Sequence, residues 1–391
     1  MKILHVINYF QPKLGYQEYF LAKEQIKMGH QVAVITSDRY CPYVNFEQSY
    51  GPLLGKRICG AGHRIEEGVP VYRLPVLFEL KTKLRIWLRG LEPLILKLDP
   101  DFIISHDIVA NSFRIARLKA KGCKFKLIVD SSMWSGVMKK NVIFRVLYNL
   151  RKKMIKKILV PQVDKFVGVC QETCDILEKI NGIPREKIRY IPLGVDADLF
   201  KFNKGERKKI RDQLNLADDD ILLLHTGEIA EHEGVDIIVK AFNSLEINRK
   251  IYLLLIGGGS KEFKNELINL VGKEKKKDII FYPFVPMPEL SKYYSASDIC
   301  VWDSASISFY EAMSCQRPII CRDSPALKER VANDNGLLFR TGNYIDLAEK
   351  IKYLAENDEL RKAMGRRGKE LVEKEFSWSK IAQSFISCVM E

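Results

Sequence analysis

The sequence predicts an α/β protein built from two doubly wound, mainly parallel sheets. Its 391 residues are too many for one typical domain and suit two of ordinary size. In both halves, short apolar runs of strand length alternate with segments of helical periodicity, which is the pattern of parallel sheets covered by helices. An apolar content of 47% is sufficient for two hydrophobic cores.

A β-α-β unit opens the first half. We expect strands at residues 2–7 and 31–36, joined by a loop at 8–16 and a helix at 17–28. The loop follows the carboxyl end of the first strand, where open α/β sheets bind ligands, and Gly15 lets its backbone approach a ligand closely. Residues 40–68 are expected to be irregular. A helix is expected from Lys81 to Lys97, and further strands at 69–74, 102–105, 125–129, 165–169 and 187–191.

Three polar residues follow strands of the first half. His106 and Asp107 come directly after the strand at 102–105, and Asp130 ends the strand at 125–129. These positions lie on the ligand-binding edge of the predicted sheet. They are therefore candidate catalytic residues, although each could instead be a capping or turn residue.

Glycines and a proline-rich segment follow the predicted strands of the second half. Gly227 follows the strand at 221–225, and Gly257 and Gly258 follow the strand at 252–256. Phe284 and Val285 come after the next strand, at 278–281. The glycines allow the backbone to approach a ligand closely.

The stretch 298–321 carries the strongest chemical signal. A buried strand at 299–302 leads into a turn with Ser306, Ile307 and Ser308, where a helix should begin, and Glu311 lies one turn into that helix. Free N–H groups at a helix start favour an anion such as phosphate. A carboxylate just behind them repels phosphate but can accept hydrogen bonds from sugar hydroxyls. Phosphate beside hydroxyls describes a nucleotide ribose, whereas the alternative is a packed helix with a solvated Glu.

Residues 311–320, with the sequence EAMSCQRPII, resemble the donor-site motif of GT-B glycosyltransferases of family 4, which are retaining and use nucleotide sugars. Residues 29–36, 194–196 and 376–378 also match that family. The resemblance implies two Rossmann-like domains, at 1–196 and 197–375, that face a central cleft. It further implies a C-terminal helix, at 376–391, that crosses back to the first domain.

The resemblance also implies a reaction and a set of site residues. The reaction is transfer of a hexose-type sugar from a UDP- or GDP-linked donor to a glycan or lipid-linked acceptor, with retention, in envelope polysaccharide or glycolipid synthesis. No cofactor or metal is implied. Glu311 would hold the ribose, and His106, Asp107 and Asp130 would orient sugar and acceptor. The remaining donor contacts would come from Gly15, Gly227, Gly257, Gly258, Phe284, Val285, Ser306, Ile307 and Ser308.

Two glutamates depart from the family pattern. Glu228 and Glu233 stand where family 4 has an Arg and a Lys that neutralise the donor diphosphate. Carboxylates there hinder diphosphate binding unless they point away or a cation intervenes. Arg317, Arg322 or a lysine of the first domain could supply the missing charge. A non-catalytic relative that binds glycans or a partner subunit, and a GT-B sugar-nucleotide epimerase, therefore stay open as alternatives.

The positive charge of the chain is concentrated in its first half. Residues 1–196 carry 33 Lys and Arg against 18 Asp and Glu, and the remainder carries 30 against 31. The segments from Lys81 to Lys97 and from Lys139 to Lys157 mix basic with apolar residues. Such segments can lie on an anionic membrane, at ~1 kcal/mol per basic residue, or can pack their apolar stripe on their own domain. No nucleic-acid-binding motif accompanies them.

Composition also bears on the compartment. No apolar run approaches the ~20 residues that span a bilayer, and Met1 leads directly into a strand, so we expect no signal peptide. The nine cysteines are scattered without zinc-site spacing, which fits a reducing cytosol. We expect a cytoplasmic protein, with peripheral contact on the inner face of the cell membrane as an open alternative.

Overall fold

The computed structural model describes residues 1–43, 46–80, 85–133, 142–304, 306–331 and 334–390. The chain divides into two compact units. The first comprises Met1–Pro42, Leu54–Leu193 and Trp378–Glu391, and the second comprises Tyr43–Leu53 and Gly194–Ser377. Each unit is a Rossmann-like α/β domain, and among the described residues no helix has the length and apolar character needed to cross a bilayer.

The first unit is built on an eight-stranded sheet in the order β10-β9-β8-β7-β1-β2-β4-β3. All of its pairs are parallel except β3 with β4. The chain order reverses beside β1, so the switch point of this sheet lies between β1 and β7. The strands are β1 (Lys2–Val6), β2 (Gln31–Ser37), β3 (Gly62–Glu66), β4 (Val69–Leu74), β7 (Phe102–Ser105), β8 (Lys126–Ser131), β9 (Lys165–Gly168) and β10 (Ile188–Tyr190), with β5 (Val76–Leu80) and β6 (Arg85–Leu88) forming a separate hairpin.

Alternation along the strands gives this sheet two faces. Leu4 and Val6 of β1 join one large core, whereas His5 points to the opposite face. The last helix belongs to this unit and packs on its first helix, where the rings of Phe20 and Trp378 stack 5.1 Å apart. The α-helices are α1 (Gln17–Lys27), α4 (Leu91–Leu98), α5 (Ala110–Ala120), α6 (Val142–Met154), α7 (Gln171–Asp175) and α16 (Trp378–Met390); α2 (Phe46–Ser49) lies in the second unit and α3 (Gly51–Leu54) at its boundary with the first.

The second unit has a six-stranded, fully parallel sheet in the order β13-β12-β11-β14-β15-β16. This is the doubly wound order 3-2-1-4-5-6, whose switch point lies between β11 and β14. The strands are β11 (Ile221–Thr226), β12 (Ile251–Ile256), β13 (Ile279–Tyr282), β14 (Ile299–Trp302), β15 (Ile319–Arg322) and β16 (Gly336–Phe339). The helices are α8 (Lys204–Gln213), α9 (Val235–Ser244), α10 (Lys261–Asn269), α11 (Met287–Ala296), α12 (Ser308–Ser314), α13 (Pro325–Lys328), α14 (Tyr344–Ala355) and α15 (Asp358–Glu375).

The helix predicted from Lys81 to Lys97 is confirmed only in its second part, from Leu91 on, and is wrong at residues 85–88. The structure has the β5–β6 hairpin and then α4, with residues 81–84 outside the described part of the chain. The apolar residues of β6 alternate at a period of two, and Ile86 and Leu88 are both fully buried. Gly90, with φ of 80°, then separates strand from helix.

One other segment differs from expectation. Residues 40–68, expected to be irregular, contain two short helices and the edge strand β3. The helix α7 continues as a π-helix, Ile176–Ile180. A second π-helix, Ile155–Leu159, continues α6. Short 3₁₀ turns occur at Pro12–Leu14, Arg185–Lys187, Glu231–Glu233, Lys276–Asp278 and Glu329–Val331.

Candidate active site

Glu311 lies at the switch point of the second unit and is only 6% exposed. The Tyr294 hydroxyl, from α11, donates a hydrogen bond of 2.7 Å to Glu311 Oε2. Thr226, the last residue of β11, has its hydroxyl 2.9 Å from that of Tyr294. Because Tyr294 donates to the carboxylate, it accepts from Thr226. Hydrogen bonds through the hydroxyl groups of Thr226 and Tyr294 therefore connect the end of β11 to Glu311.

The carboxyl group of Glu311 is costly to ionise in this position. Burial raises its pKa to about 7, although hydrogen bonds from Tyr294 and Ser308 favour the charged form. In the described part of the unit, no Lys or Arg forms an ion pair with Glu311. The group therefore changes its charge near neutral pH.

The turn that precedes α12 is held from behind by an arginine. Ser306 Oγ accepts at 3.2 Å from the amide of Ser308, the first residue of this seven-residue helix. The buried Arg330 donates to the Ser306 carbonyl at 3.1 Å and packs over the rings of Phe309 and Tyr310. The guanidinium of Arg330 therefore lies against the backbone of this turn.

The glycines after β11 and β12 are required by the packing of the two loops. A Cβ at Gly257 would lie 1.7 Å from the Gly227 carbonyl oxygen, so no side chain fits there. The Ile229 amide donates to the Gly258 carbonyl at 2.7 Å and ties the loops together. Val285 is buried, and Phe284 packs against Tyr50 with ring centroids 5.4 Å apart.

The edge beside these loops is acidic. His232 Nε2 lies 3.7 Å from a Glu228 oxygen and 3.5 Å from a Glu233 oxygen, and Ser304 donates to Glu233. Burial raises the pKa of Glu228, and it raises that of the nearby Asp303 to about 6 even though Arg322 pairs with Asp303 at 3.2 Å.

Of the two arginines expected to compensate, Arg317 donates to the Cys315 and Ser297 carbonyls, so its guanidinium is occupied by the backbone. Arg322 pairs with Asp303 instead of lying free to meet a diphosphate. Among the described residues, no group of three or more His, Cys, Asp or Glu is placed to hold a metal ion.

In the first unit, the structure brings His106, Asp107 and Asp130 together at the β1–β7 switch point. His106 Nδ1 donates to Asp130 Oδ2 at 2.7 Å, and the Asp107 amide donates to Asp130 Oδ1 at 3.0 Å. His106 and Asp130 are buried, at 6% and 4% exposure, whereas Asp107 is exposed. Gly15 lies apart from these contacts as the left-handed residue that ends a 3₁₀ turn, and its amide donates to the Pro12 carbonyl.

Several polar residues of these sites are not found by sequence reasoning. His5 and Gln25 extend the His106 contacts, and Glu18 is buried above them on α1. Thr226 had a signal, because it ends a strand on the ligand edge. Gln25 and Glu18 lie seven positions apart on one face of α1. This spacing could have indicated that the two polar residues share the buried face of the helix. Nothing local indicates Tyr294 or Arg330, whose roles depend on contacts distant in the sequence.

Two doubly wound sheets, each with polar groups gathered at its switch point, define a two-domain protein of the kind that binds nucleotide-containing ligands. The family model described as "Glycosyl transferases group 1" matches residues 206–371, and the model described as "Glycosyltransferase Family 4" matches residues 19–199. The two models together cover most of the chain, which belongs to this glycosyltransferase family, of GT-B fold.

Similar proteins agree with this assignment. An uncharacterized glycosyltransferase of Methanocaldococcus jannaschii, MJ1069, is 25% identical over 329 residues, which are 82% of this chain and 81% of the relative. A D-inositol 3-phosphate glycosyltransferase of Nocardia farcinica is 28% identical over 59% of this chain and 53% of its own.

Solved structures share the fold. Sucrose-phosphate synthase from Thermosynechococcus elongatus has a TM-score of 0.72 and 18% identity, covering 99% of this chain and 97% of its own. Anabaena Alr3699/HepE in complex with UDP has a TM-score of 0.74 and 15% identity, covering all of both chains.

Proposed function

We propose that this protein transfers a hexose-type sugar from a UDP- or GDP-linked donor to a glycan or lipid-linked acceptor, with retention, in the synthesis of an envelope polysaccharide or glycolipid. The observation that carries the proposal is Glu311, a buried carboxyl group at the switch point of the second sheet. The Tyr294 hydroxyl donates a hydrogen bond to this carboxyl group, and the Thr226 hydroxyl is hydrogen-bonded to that of Tyr294. Structural relatives solved with UDP and with UDP-glucose support a nucleotide-sugar donor.

In this proposal, the ribose hydroxyls donate hydrogen bonds to Glu311. These bonds favour the carboxylate, so binding releases the proton that the Glu311 carboxyl group holds near neutral pH. The turn at 306–308 faces the diphosphate. Arg330, behind the Ser306 carbonyl, supplies part of the positive potential that Glu228 and Glu233 do not.

An activity assay tests the reaction itself. Purified protein is incubated with UDP- and GDP-sugars, with and without lipid-linked glycan acceptors, and the anomeric configuration of the product is read by NMR. We expect an acceptor-dependent product that keeps the donor configuration. An inverted product contradicts retention, and a new sugar nucleotide formed from donor alone supports the epimerase.

The acidic edge at Glu228 and Glu233 favours one competing function, a non-catalytic subunit that binds glycans or a partner. That alternative predicts no stabilisation by any nucleotide. A thermal-shift series with UDP, GDP and their sugar conjugates separates the two, because a ligand that binds only the folded state raises the melting temperature.

We further propose that the basic, apolar surface of the first unit meets an anionic membrane where a lipid-linked acceptor resides. On α6, Leu147, Leu150 and Met154 are 44–53% exposed and lie at positions i, i+3 and i+7. Exposed Lys153, Lys156 and Lys157 adjoin this stripe. On the β5–β6 hairpin, a second apolar surface is formed by Leu77, Phe78 and Leu80. Lys139 and Lys140 of the basic segment lie outside the described residues.

Vesicle sedimentation tests the membrane proposal. Replacing Lys153, Lys156 and Lys157 with Gln should lower binding to phosphatidylserine vesicles, because each basic residue near the surface contributes ~1 kcal/mol. Lys152 is left in place because its ammonium donates to the Lys179 carbonyl. The control replaces three exposed lysines of the second unit, Lys273, Lys276 and Lys277. Equal loss in both variants, or loss in neither, contradicts a specific surface.

A further inference from the structure

A line of hydrogen bonds crosses three strands of the first unit beneath α1. Gln25 Oε1 lies 2.7 Å from His5 Nε2, and His5 Nδ1 lies 3.0 Å from His106 Nε2. The two rings are nearly parallel, with an interplanar angle of 14°. His106 Nδ1 then reaches Asp130. Gln25 and His5 are fully buried, and all four residues are at least nine-tenths buried.

The line ends on the backbone of an exposed carboxylate. Asp130 Oδ1 accepts from the Asp107 amide, and Asp107 has φ of 64°. This left-handed conformation is uncommon for a residue other than glycine and persists where the surroundings fix it. The Ser112 hydroxyl donates to the Asp107 carbonyl at 2.7 Å, so both backbone groups of Asp107 are held. Asp107 is the only exposed member of the group.

The heavy-atom positions restrict where the protons lie. The carbonyl oxygen of Gln25 accepts from His5 Nε2, which leaves His5 Nδ1 as a bare acceptor. His106 Nε2 must then donate to His5, while His106 Nδ1 donates to Asp130. His106 therefore carries a proton on both ring nitrogens. If the Gln25 amide were turned over, both rings would instead be neutral, each with a proton on Nδ1.

The charges around His106 distinguish the two arrangements. Three carboxyl groups face it, namely Asp130 on β8, Asp107 after β7 and Glu18 on α1. His5 on β1 faces it as a neutral ring, because burial lowers the pKa of His5 to about 3. The positive charge of Arg151, on α6, favours the ionised form of the Asp107 carboxyl group and so lowers its pKa. Burial is the largest single influence and opposes a charge on His106, but Asp130, Glu18 and Asp107 together outweigh it and raise the pKa of His106. The surroundings favour the doubly protonated ring.

We propose that Gln25, His5, His106 and Asp130 form a positioning device in which His106 is an imidazolium held between His5 and Asp130, and Asp130 fixes the left-handed turn that presents the Asp107 carboxylate to substrate. Asp107 is then the catalytic residue of this unit, and His106 and Asp130 act through it. The link to sugar transfer rests on the proposed function, whereas the proton positions and the turn do not.

Nitrogen NMR of the histidine rings tests the proton positions without any substrate. The chain has six histidines, and the His106 signals are assigned with His106→Gln. We expect both His106 nitrogens to be protonated at pH 7, with the proton on Nδ1 hydrogen-bonded to Asp130. We expect His5 to be neutral, with no proton on Nδ1. A neutral His106 at pH 7 overturns the imidazolium. His5→Leu removes the acceptor and should lower the pH at which His106 loses its proton.

Paired variants test the positioning role. Asp130→Asn keeps an acceptor for the Asp107 amide but removes the charge opposite His106. We expect it to shift the Asp107 amide resonance and to lower kcat about a hundredfold with KM for the donor unchanged, as misplaced reacting groups do. Asp107→Asn should lower kcat as much while His106 keeps both ring protons at pH 7, because Asp130 still faces it. His63→Asn, on the exposed edge strand β3, is the control.

The outcomes separate this proposal from the proposed function. Full activity in Asp107→Asn, or an unmoved Asp107 amide in Asp130→Asn, overturns the positioning device. If the unmodified protein transfers no sugar with any donor, the proposed function fails. The His106 spectrum and the Asp107 amide still decide whether the device exists.

Discussion

Asp130 in the first unit and Glu311 in the second are both buried carboxyl groups near the switch point of a sheet. Asp130 lies on β8, the strand next to β7, and Glu311 lies on α12, which follows β14. Each is more than nine-tenths buried. Asp130 is met by the His106 ring and the Asp107 amide. Glu311 is met by hydroxyl groups of Tyr294 and Ser308. In our proposal, the charge of the Asp130 carboxylate is balanced by the His106 imidazolium. Within the described residues, the Glu311 carboxyl group has no such counter-charge and is neutral when it holds a proton.

This difference has a functional consequence. A buried ion pair is complete without a ligand and resists rearrangement, because removing either partner strands a charge. A carboxyl group whose pKa burial raises to about 7 can be ionised by any ligand that donates hydrogen bonds to it. The first site is therefore prearranged, whereas the second site has a charge state that binding changes.

The largest expected effect follows from breaking the ion pair. His106→Leu leaves Asp130 buried without its counter-charge, so we expect a loss of ~3–5 kcal/mol in the free energy of unfolding. Urea denaturation measures it, with His63→Leu on the exposed edge strand as the matched control. A loss no larger than that of the control would show that Asp130 needs no counter-charge.

A pH series sharpens the comparison at Glu311. Its pKa is raised from 4.5 to about 7, so the folded state holds a proton that the unfolded state releases in this range. Relative to Glu311→Gln, the stability of the unmodified protein should fall as pH rises from 4.5 through 7, by about 3 kcal/mol in total. If the stability of the two proteins changed in parallel between pH 5 and 8, the pKa of Glu311 would not be raised, as expected for a solvent-exposed carboxyl group, and the prediction would be contradicted.

Tyr294→Phe removes the hydroxyl that donates to Glu311 and should cost ~1–2 kcal/mol at pH 8. The cost should be smaller at pH 6, because the protonated carboxyl group is less dependent on a donor. Denaturation at both pH values measures the difference, and Tyr353→Phe, at an exposed position, is the control. A cost that is equal at pH 6 and pH 8 argues against the proton as the neutralising group.

The smallest effect concerns the acidic edge. Glu228→Arg with Glu233→Lys should strengthen UDP binding by about 1 kcal/mol, because charges in partly exposed positions are screened. Uridine, which has no phosphate, should bind unchanged. The control makes the same charge change at the exposed Glu246 and Glu274, which precede β12 and β13 on the opposite edge of the sheet. Equal gains for uridine and UDP would place the edge away from the diphosphate.

The sequence was sufficient to predict the parts of the molecule that depend on local pattern. The strand Phe102–Ser105 and the helix containing Glu311 are confirmed, as are the two Rossmann-like domains. These follow from apolar runs, turn residues and a contiguous motif. The helix predicted from Lys81 to Lys97 failed at residues 85–88, because a period of two was interpreted there as a period of 3.6.

The partners of the site residues could not be predicted in the same way. His5 meets His106 because β1 and β7 pair with His5 opposite Ile104, a register set by residues about a hundred positions apart. Tyr294 reaches Glu311 only once α11 and α12 pack on the sheet. Local pattern places a carboxyl group on an edge, but long-range packing decides whether a proton or a counter-charge neutralises it.

Calorimetric titration of UDP and GDP into Glu311→Ala and the unmodified protein is the most direct test of the account. The exposed Glu349→Ala serves as control. We expect one of the two nucleotides to bind the unmodified protein and to bind Glu311→Ala more weakly by ~1–3 kcal/mol, because ribose hydroxyls lose their acceptor. Equal affinity of Glu311→Ala and the control would contradict it and remove Glu311 from the nucleotide site.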